Sequence, residues 1–332
     1  MAVLVGPVTL GAAELHPVYP SRVFEFAGRR PGQTAVVTGV AISADGRSLA
    51  AAGDDHVVCV WDTSSGRIIQ RLEGHTDWVR CVAFSPDGAL LASAGNDRTV
   101  RFWIPATGRL LVTTGKQNQA ISSLAFRPDG AVLAAGGFED TLTILDTGSA
   151  AAVTSLRCPG MDLRSVVFSP DGQFLAAGGR NGPVRIWDAA AWRHATDVPT
   201  HGRRIRALAF SPDGVRLAAA GDGPHICIWN HDTGQEECSL ASRPGRVLAM
   251  VFTDNDHLAT GTSDNRIQLW DLRKRVVEHV LLGHTGSVAA LARDRAGRWL
   301  VSGSYDTTVR LWELPTTPGD ETAHRTGNPE VR

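Results

Sequence analysis

The chain has 332 residues, a formal net charge of −1 and 43% hydrophobic residues. That balance excludes general disorder and whole-molecule attraction to nucleic acid or anionic lipid, and no apolar run reaches the roughly 18 residues a membrane-spanning helix needs. Ala2 to Ala13 is apolar but the first Lys or Arg is Arg22, so a signal peptide with its basic start is not expected here. The cysteines Cys59, Cys81, Cys158, Cys227 and Cys238 are odd in number and lack CxxC or zinc spacing, and the histidines form no HxH or HxxxH pair. A reduced, cytoplasmic protein without metal or cofactor is expected.

In chain order, residues 1–19 read as an N-terminal extension, and Val23-Phe24-Glu25-Phe26 reads as a strand. From there a register of 42 residues takes over. Phe84, Phe126, Phe168 and Phe210 each precede a turn of the type Ser85-Pro86-Asp87-Gly88. Trp61, Trp103, Leu145, Trp187, Trp229, Trp270 and Trp312 follow with steps of 42, except for one of 41 where the turn at Thr253 is a residue shorter. Seven repeats result, 20–61, 62–103, 104–145, 146–187, 188–229, 230–270 and 271–312, in a unit spanning 20–314, with 315–332 a polar tail expected to be disordered.

Within a repeat the pattern alternates with period two, as in Val100-Arg101-Phe102, which marks strands. Pro-Asp-Gly suits a tight turn between antiparallel strands, because Pro fixes φ and Gly accepts φ > 0. Each repeat therefore reads as four antiparallel strands. Such units cannot bury both faces alone, and stacking them radially protects their edges. The expected fold is all-β, a seven-bladed β-propeller of four-stranded antiparallel blades, its ring closed when the strand near Phe24 completes the seventh blade.

Trp61-Asp62, Trp187-Asp188 and Trp270-Asp271, with Gly74-His75 and Gly283-His284, resemble the tryptophan-aspartate (WD) repeat family. The resemblance implies a buried His, Ser/Thr, Asp and Trp tetrad in each well-formed blade. Position by position it falls on His75, Ser93, Asp97 and Trp103 in blade two and on His284, Ser302, Asp306 and Trp312 in blade seven. Blade six keeps Thr260, Asp264 and Trp270 with Arg243 at the His position, and blade five keeps His201 and Trp229 with Ala219 and Gly223. Blade one keeps Asp55 and Trp61, and blade three, with Gln117, Ala135, Glu139 and Leu145, is expected to be the least well tied. A nucleophilic triad of Ser93, His75 and Asp97 is the tempting alternative. It is set aside because the set recurs in blade seven and an indole stands where substrate would enter.

The second turn and the link into the next blade meet at one end of each unit, which in the family is commonly the partner-binding face. On it the register places Trp78 and Arg80 in blade two, Phe138 in blade three, Arg164 and Arg180 in blade four, Arg204 and Arg206 in blade five, Arg246 in blade six and Tyr305 in blade seven. Arginine forks suit carboxylate and phosphate, and aromatics anchor interfaces. The plain alternative is arginines that solvate a polar rim and a Trp78 packed on a neighbouring loop. The expected function is a non-catalytic protein-interaction scaffold or adaptor, as a monomeric ring or a subunit of a larger complex, that takes an acidic or phosphorylated peptide. A small-ligand sensor or a nucleic-acid-binding propeller is the alternative.

Overall fold

The computed structural model describes residues 16–26, 35–200, 204–242 and 245–315, and no helix occurs among them. The positions read as His201 and Arg243, residues 1–15 of the extension and residues 316–332 of the tail lie outside the described residues. Seven sheets carry the strands. Blade two shows the plan: Val79–Phe84, Leu91–Gly95, Val100–Ile104 and Arg109–Thr113 pair antiparallel in chain order. The second strand is buried throughout, so it reads as a run of small and apolar residues, while the fourth is largely exposed. The first turn is held by side chains: Ser85 Oγ lies 2.5 Å from Asp87 Oδ1 and accepts from the Leu90 amide at 2.9 Å, and Gly88 sits at φ 72°.

The innermost strands of neighbouring blades touch in an unbroken cycle that returns from Val288–Arg293 to Val37–Ile42. The apolar core follows this arrangement as seven clusters, most of them spanning adjacent blades; one joins Ala50, Val60 and Leu72 of blade one to Val79, Leu91 and Trp103 of blade two. A fully buried side chain of Leu size contributes about 1.5–3 kcal/mol, so each blade is held chiefly by its neighbours. Arg22–Glu25 pairs antiparallel with Thr308–Glu313 and completes the seventh blade. Phe24 and Phe26 then pack on Trp61 of blade one, with ring centroids 5.9 and 6.3 Å away, so the closing strand also fills the last interface.

One strand was not legible. His16–Val18, inside the segment read as an extension, adds parallel to the outer strand Val276–Leu281 as a fifth strand of blade six. The N-terminal segment thereby ties blade six to blade seven.

Candidate partner-binding face

Every innermost strand breaks register with the second strand of its blade near its start. The shift isolates Thr38, Arg80, Ser122, Arg206, Leu248 and Ala289, and the longer irregularity between Met161 and Ser165 includes Arg164. Bulges re-aim side chains. Here they turn one residue per blade onto the mouth of the central channel, where these seven and Tyr305 line a cavity of about 130 Å³. Opposite the blade-two bulge stands Gly95, where a Cβ would lie 1.9 Å from the Trp78 carbonyl oxygen.

Around the mouth the cations and rings form a connected belt. The Arg80 guanidinium carbon lies 5.9 Å from the Trp78 ring centre and 5.0 Å from that of Phe138, and the Arg164 guanidinium carbon lies 4.6 Å from the Phe138 ring centre. Such contacts contribute about 0.5–1 kcal/mol each where exposed. Asp162 bridges the next two blades, 2.7 Å from Arg164 Nε and 3.3 Å from Arg204 Nη2, while Asp222 holds Arg206 at 2.6 Å. The Arg164 and Asp162 atoms are close but not aligned for a hydrogen bond. Arg80 Nε donates to the Asn96 side-chain oxygen. Burial and the like charge of Arg164 lower the Arg80 pKa from its ordinary value.

Of the sequence-derived set, Trp78, Arg80, Phe138, Arg164, Arg204 and Arg206 belong to this belt, and Tyr305 joins it across the cavity. Arg180 and Arg246 are exposed and take no ion pair among the described residues. Trp78 and Tyr305 are 42% and 51% exposed, so neither is spent on packing. Trp192, at the opposite end, instead packs edge-on against Phe168 at 6.5 Å.

The tetrads lie inside blades two and seven. His75 Nδ1 is 2.7 Å from Asp97 Oδ2, His75 Nε2 is 2.7 Å from Ser93 Oγ, and Trp103 Nε1 donates to Ser93 Oγ at 2.8 Å. Blade seven repeats this through His284, Asp306, Ser302 and Trp312 at 2.8, 2.7 and 2.8 Å. Burial is the largest single influence on the Asp97 and Asp306 pKa values and pushes them up, but the histidine and threonine hydrogen bonds and the histidine charge together outweigh it, and both lie below the usual carboxylate range. Burial lowers the His284 pKa. The His75 side chain has no exposed surface, which leaves no path for a substrate to Ser93.

Elsewhere the network thins. Trp270 Nε1 donates to Thr260 Oγ1 at 3.0 Å in blade six, and in blade three Thr143 donates to Gln117 Oε1 at 3.0 Å beside the buried Leu145. In blade one Asp55 is buried with Oδ2 unpartnered among the described residues, and desolvation raises its pKa to about 6. Burial pushes the Cys59, Cys81 and Cys158 thiols up to about 12, which makes them poor nucleophiles.

A group the sequence pattern could not show is His257, Asp271 and Glu278, brought within 4.8 Å by three adjacent strands of blade six. It already holds a cation: Lys274 Nζ lies 2.9 Å from Asp271 and 3.4 Å from Glu278, and His257 Nδ1 lies 2.9 Å from Asp254.

Comparison with known proteins agrees with this architecture. A family profile described as the IFT122 first beta-propeller matches residues 36–202, and the WD domain, G-beta repeat, matches 193–230, 237–271 and 275–313. Among curated proteins, the nuclear distribution protein PAC1 of Tuber melanosporum is 40% identical over 62 residues, 19% of this chain and 14% of that protein. Autophagy-related protein 16 of Arabidopsis thaliana is 39% identical over 62 residues (18% and 12%), and a striatin homolog of Dictyostelium discoideum 31% over 68 (20% and 8%). The matches thus span less than a sixth of the length of these relatives. With seven four-stranded blades in one ring and both repeat profiles matched in succession, the chain belongs to the WD-repeat family of seven-bladed β-propellers.

Proposed function

We propose that this propeller is a non-catalytic scaffold or adaptor that binds a protein partner on the face carrying the channel mouth. The observation that carries the reading is the belt of Trp78, Arg80, Phe138 and Arg164, a run of aromatic and guanidinium groups with Trp78 left 42% exposed. Aromatic and arginine side chains are the types enriched at interface hot spots. An acidic or phosphorylated segment of the partner suits the arginines. The ring acts alone or as a subunit of a larger complex, and five free thiols suit a reducing compartment, so the cytoplasm is the proposed location.

Affinity capture from the native host tests this with two variants, Trp78→Ala and the pair Arg204→Glu with Arg206→Glu. Loss of the same co-purifying protein from both, with melting temperature unchanged, is expected; retention of every partner by both removes this face as the site. A nucleic-acid ligand would show instead as binding that weakens steeply with salt, several-fold for each contacted phosphate over roughly a fourfold salt increase.

A further inference from the structure

The channel mouth holds more guanidinium than carboxylate. Arg80, Arg164 and Arg206 occupy bulge positions of blades two, four and five, and Arg204 stands beside them. Two carboxylates meet this set at contact distance, Asp162 against Arg164 and Arg204, and Asp222 against Arg206. Four cations against two anions leave an excess of two positive charges, and Asp77, whose charge reaches Arg80, and Arg246, whose charge reaches Asp222, cancel and leave it unchanged. Arg80 has only a neutral partner, the Asn96 amide oxygen, and no ion pair among the described residues. Arg164 Nε is buried without a hydrogen bond.

The cavity these groups surround measures about 130 Å³. It is a compact, open-mouthed space that admits a small polar group and lacks the length of groove that a polynucleotide track needs. Tyr305 adds a hydroxyl to its lining, Thr38 and Ser122 line it with hydroxyls that donate to the Val79 and Leu163 carbonyls, and Leu248 and Ala289 complete the lining.

We propose that the channel mouth is a seat for one doubly charged tetrahedral oxyanion of the phosphate class, held by Arg80, Arg164 and Arg206. A dianion matches the excess of two charges, a carboxylate side chain only half of it, and planar guanidinium forks pair with phosphate oxygens two at a time. The anion supplies Arg80 with a counter-charge at contact distance, which Asp77 does not, since its charge reaches Arg80 while its carboxylate accepts from the Asn96 side chain. This deepens the reading of the face as a partner site: the oxyanion comes from a phosphorylated side chain of the partner or from free phosphate.

Calorimetric titration of the full chain with inorganic phosphate, with phosphoserine blocked at both termini and with similarly blocked glutamate tests the seat. Saturable binding of a phosphate probe, at least about tenfold tighter than blocked glutamate, is expected, with a loss of at least about tenfold in each of Arg80→Gln and Arg206→Gln while their melting curves stay that of a folded ring. No saturable phosphate binding, equal binding by both variants, or glutamate bound as tightly as phosphate overturns the proposal. Phosphoserine bound at least about tenfold tighter than free phosphate assigns the seat to a partner side chain; equal affinities assign it to the free ion. If the protein binds no phosphate yet captures a partner through Trp78, the seat fails and the partner face stands. Phosphate binding that depends on Arg80, with no partner depending on the face, is the reverse case.

Discussion

Asp97→Ala tests whether the blade-two tetrad stabilises the ring. The carboxylate accepts from His75 Nδ1 at 2.7 Å, from the Thr99 amide at 3.1 Å, from the Thr99 hydroxyl at 3.0 Å and, at 3.3 Å, from the Thr76 amide. Its side chain is only 2% exposed and that of His75 is fully covered, so water does not readily replace the lost acceptor. A buried donor left without a partner costs about 1–3 kcal/mol, and here the imidazole N–H and the Thr99 groups lose theirs together; some relaxation at the blade end leaves a net loss of about 2–4 kcal/mol. Urea unfolding read by tryptophan fluorescence measures the total, and hydrogen exchange locates it, with faster exchange expected in residues 75–104. The sign with pH follows from the carboxyl pKa, held below its ordinary value of 3.8: the contribution is complete above that value and fades as pH falls beneath it, so wild type and variant converge in acid. An unchanged urea midpoint at neutral pH, or exchange that quickens equally in all blades, refutes the network.

Asp55→Asn is expected to act in the opposite direction. The wild-type carboxyl is raised to about 6 in the folded ring from its ordinary 3.8, so its ionisation opposes folding increasingly as pH rises through that window; the amide adds at most about 3 kcal/mol of stability at pH 7.5, read as a higher melting temperature, and the gain disappears below pH of about 4. Gly95→Ala forces the new methyl against the Trp78 carbonyl 1.9 Å away, and a stability loss of about 1–3 kcal/mol, read as a lowered urea midpoint, is expected, where an unchanged midpoint would show that the bulge yields freely. Cys59, Cys81 and Cys158 are buried with raised pKa values, so a thiol reagent at pH 8 modifies them only after denaturant is added; rapid reaction in buffer contradicts their burial.

The ring was legible because its signal is repeated. A turn such as Ser85-Pro86-Asp87-Gly88 states its own geometry, and seven copies in register identify blades that one copy could not. The strand His16–Val18 left no such trace: three residues carry no periodicity, and their parallel pairing depends on the free outer edge of blade six, which only the folded ring provides. The cluster of His257, Asp271 and Glu278 was hidden for the same reason, since its members come from three strands and no short spacing in the chain relates them.

The charged face was legible in position but not in pairing. Register puts Arg164, Arg180, Arg204, Arg206 and Arg246 in three successive blades with Asp162 and Asp222 as the countering charges, which makes that sector look like the positive one without saying which pairs form. Folding brings Asp162, in a left-handed conformation at φ 56°, between Arg164 and Arg204, and sets Asp222 against Arg206, so much of the sector is neutralised from within. Arg80 lies two blades away, flanked in the register by aromatic residues, and is the bulge-position arginine that takes no ion pair among the described residues. Counting charge along a chain weighs each residue alone. Whether a guanidinium remains available is decided by which carboxylates the closed ring brings within reach, and in this ring that places an unmatched bulge-position cation, Arg80, beside Trp78 and Phe138, where an anionic group of a partner would meet an aromatic anchor at the same point.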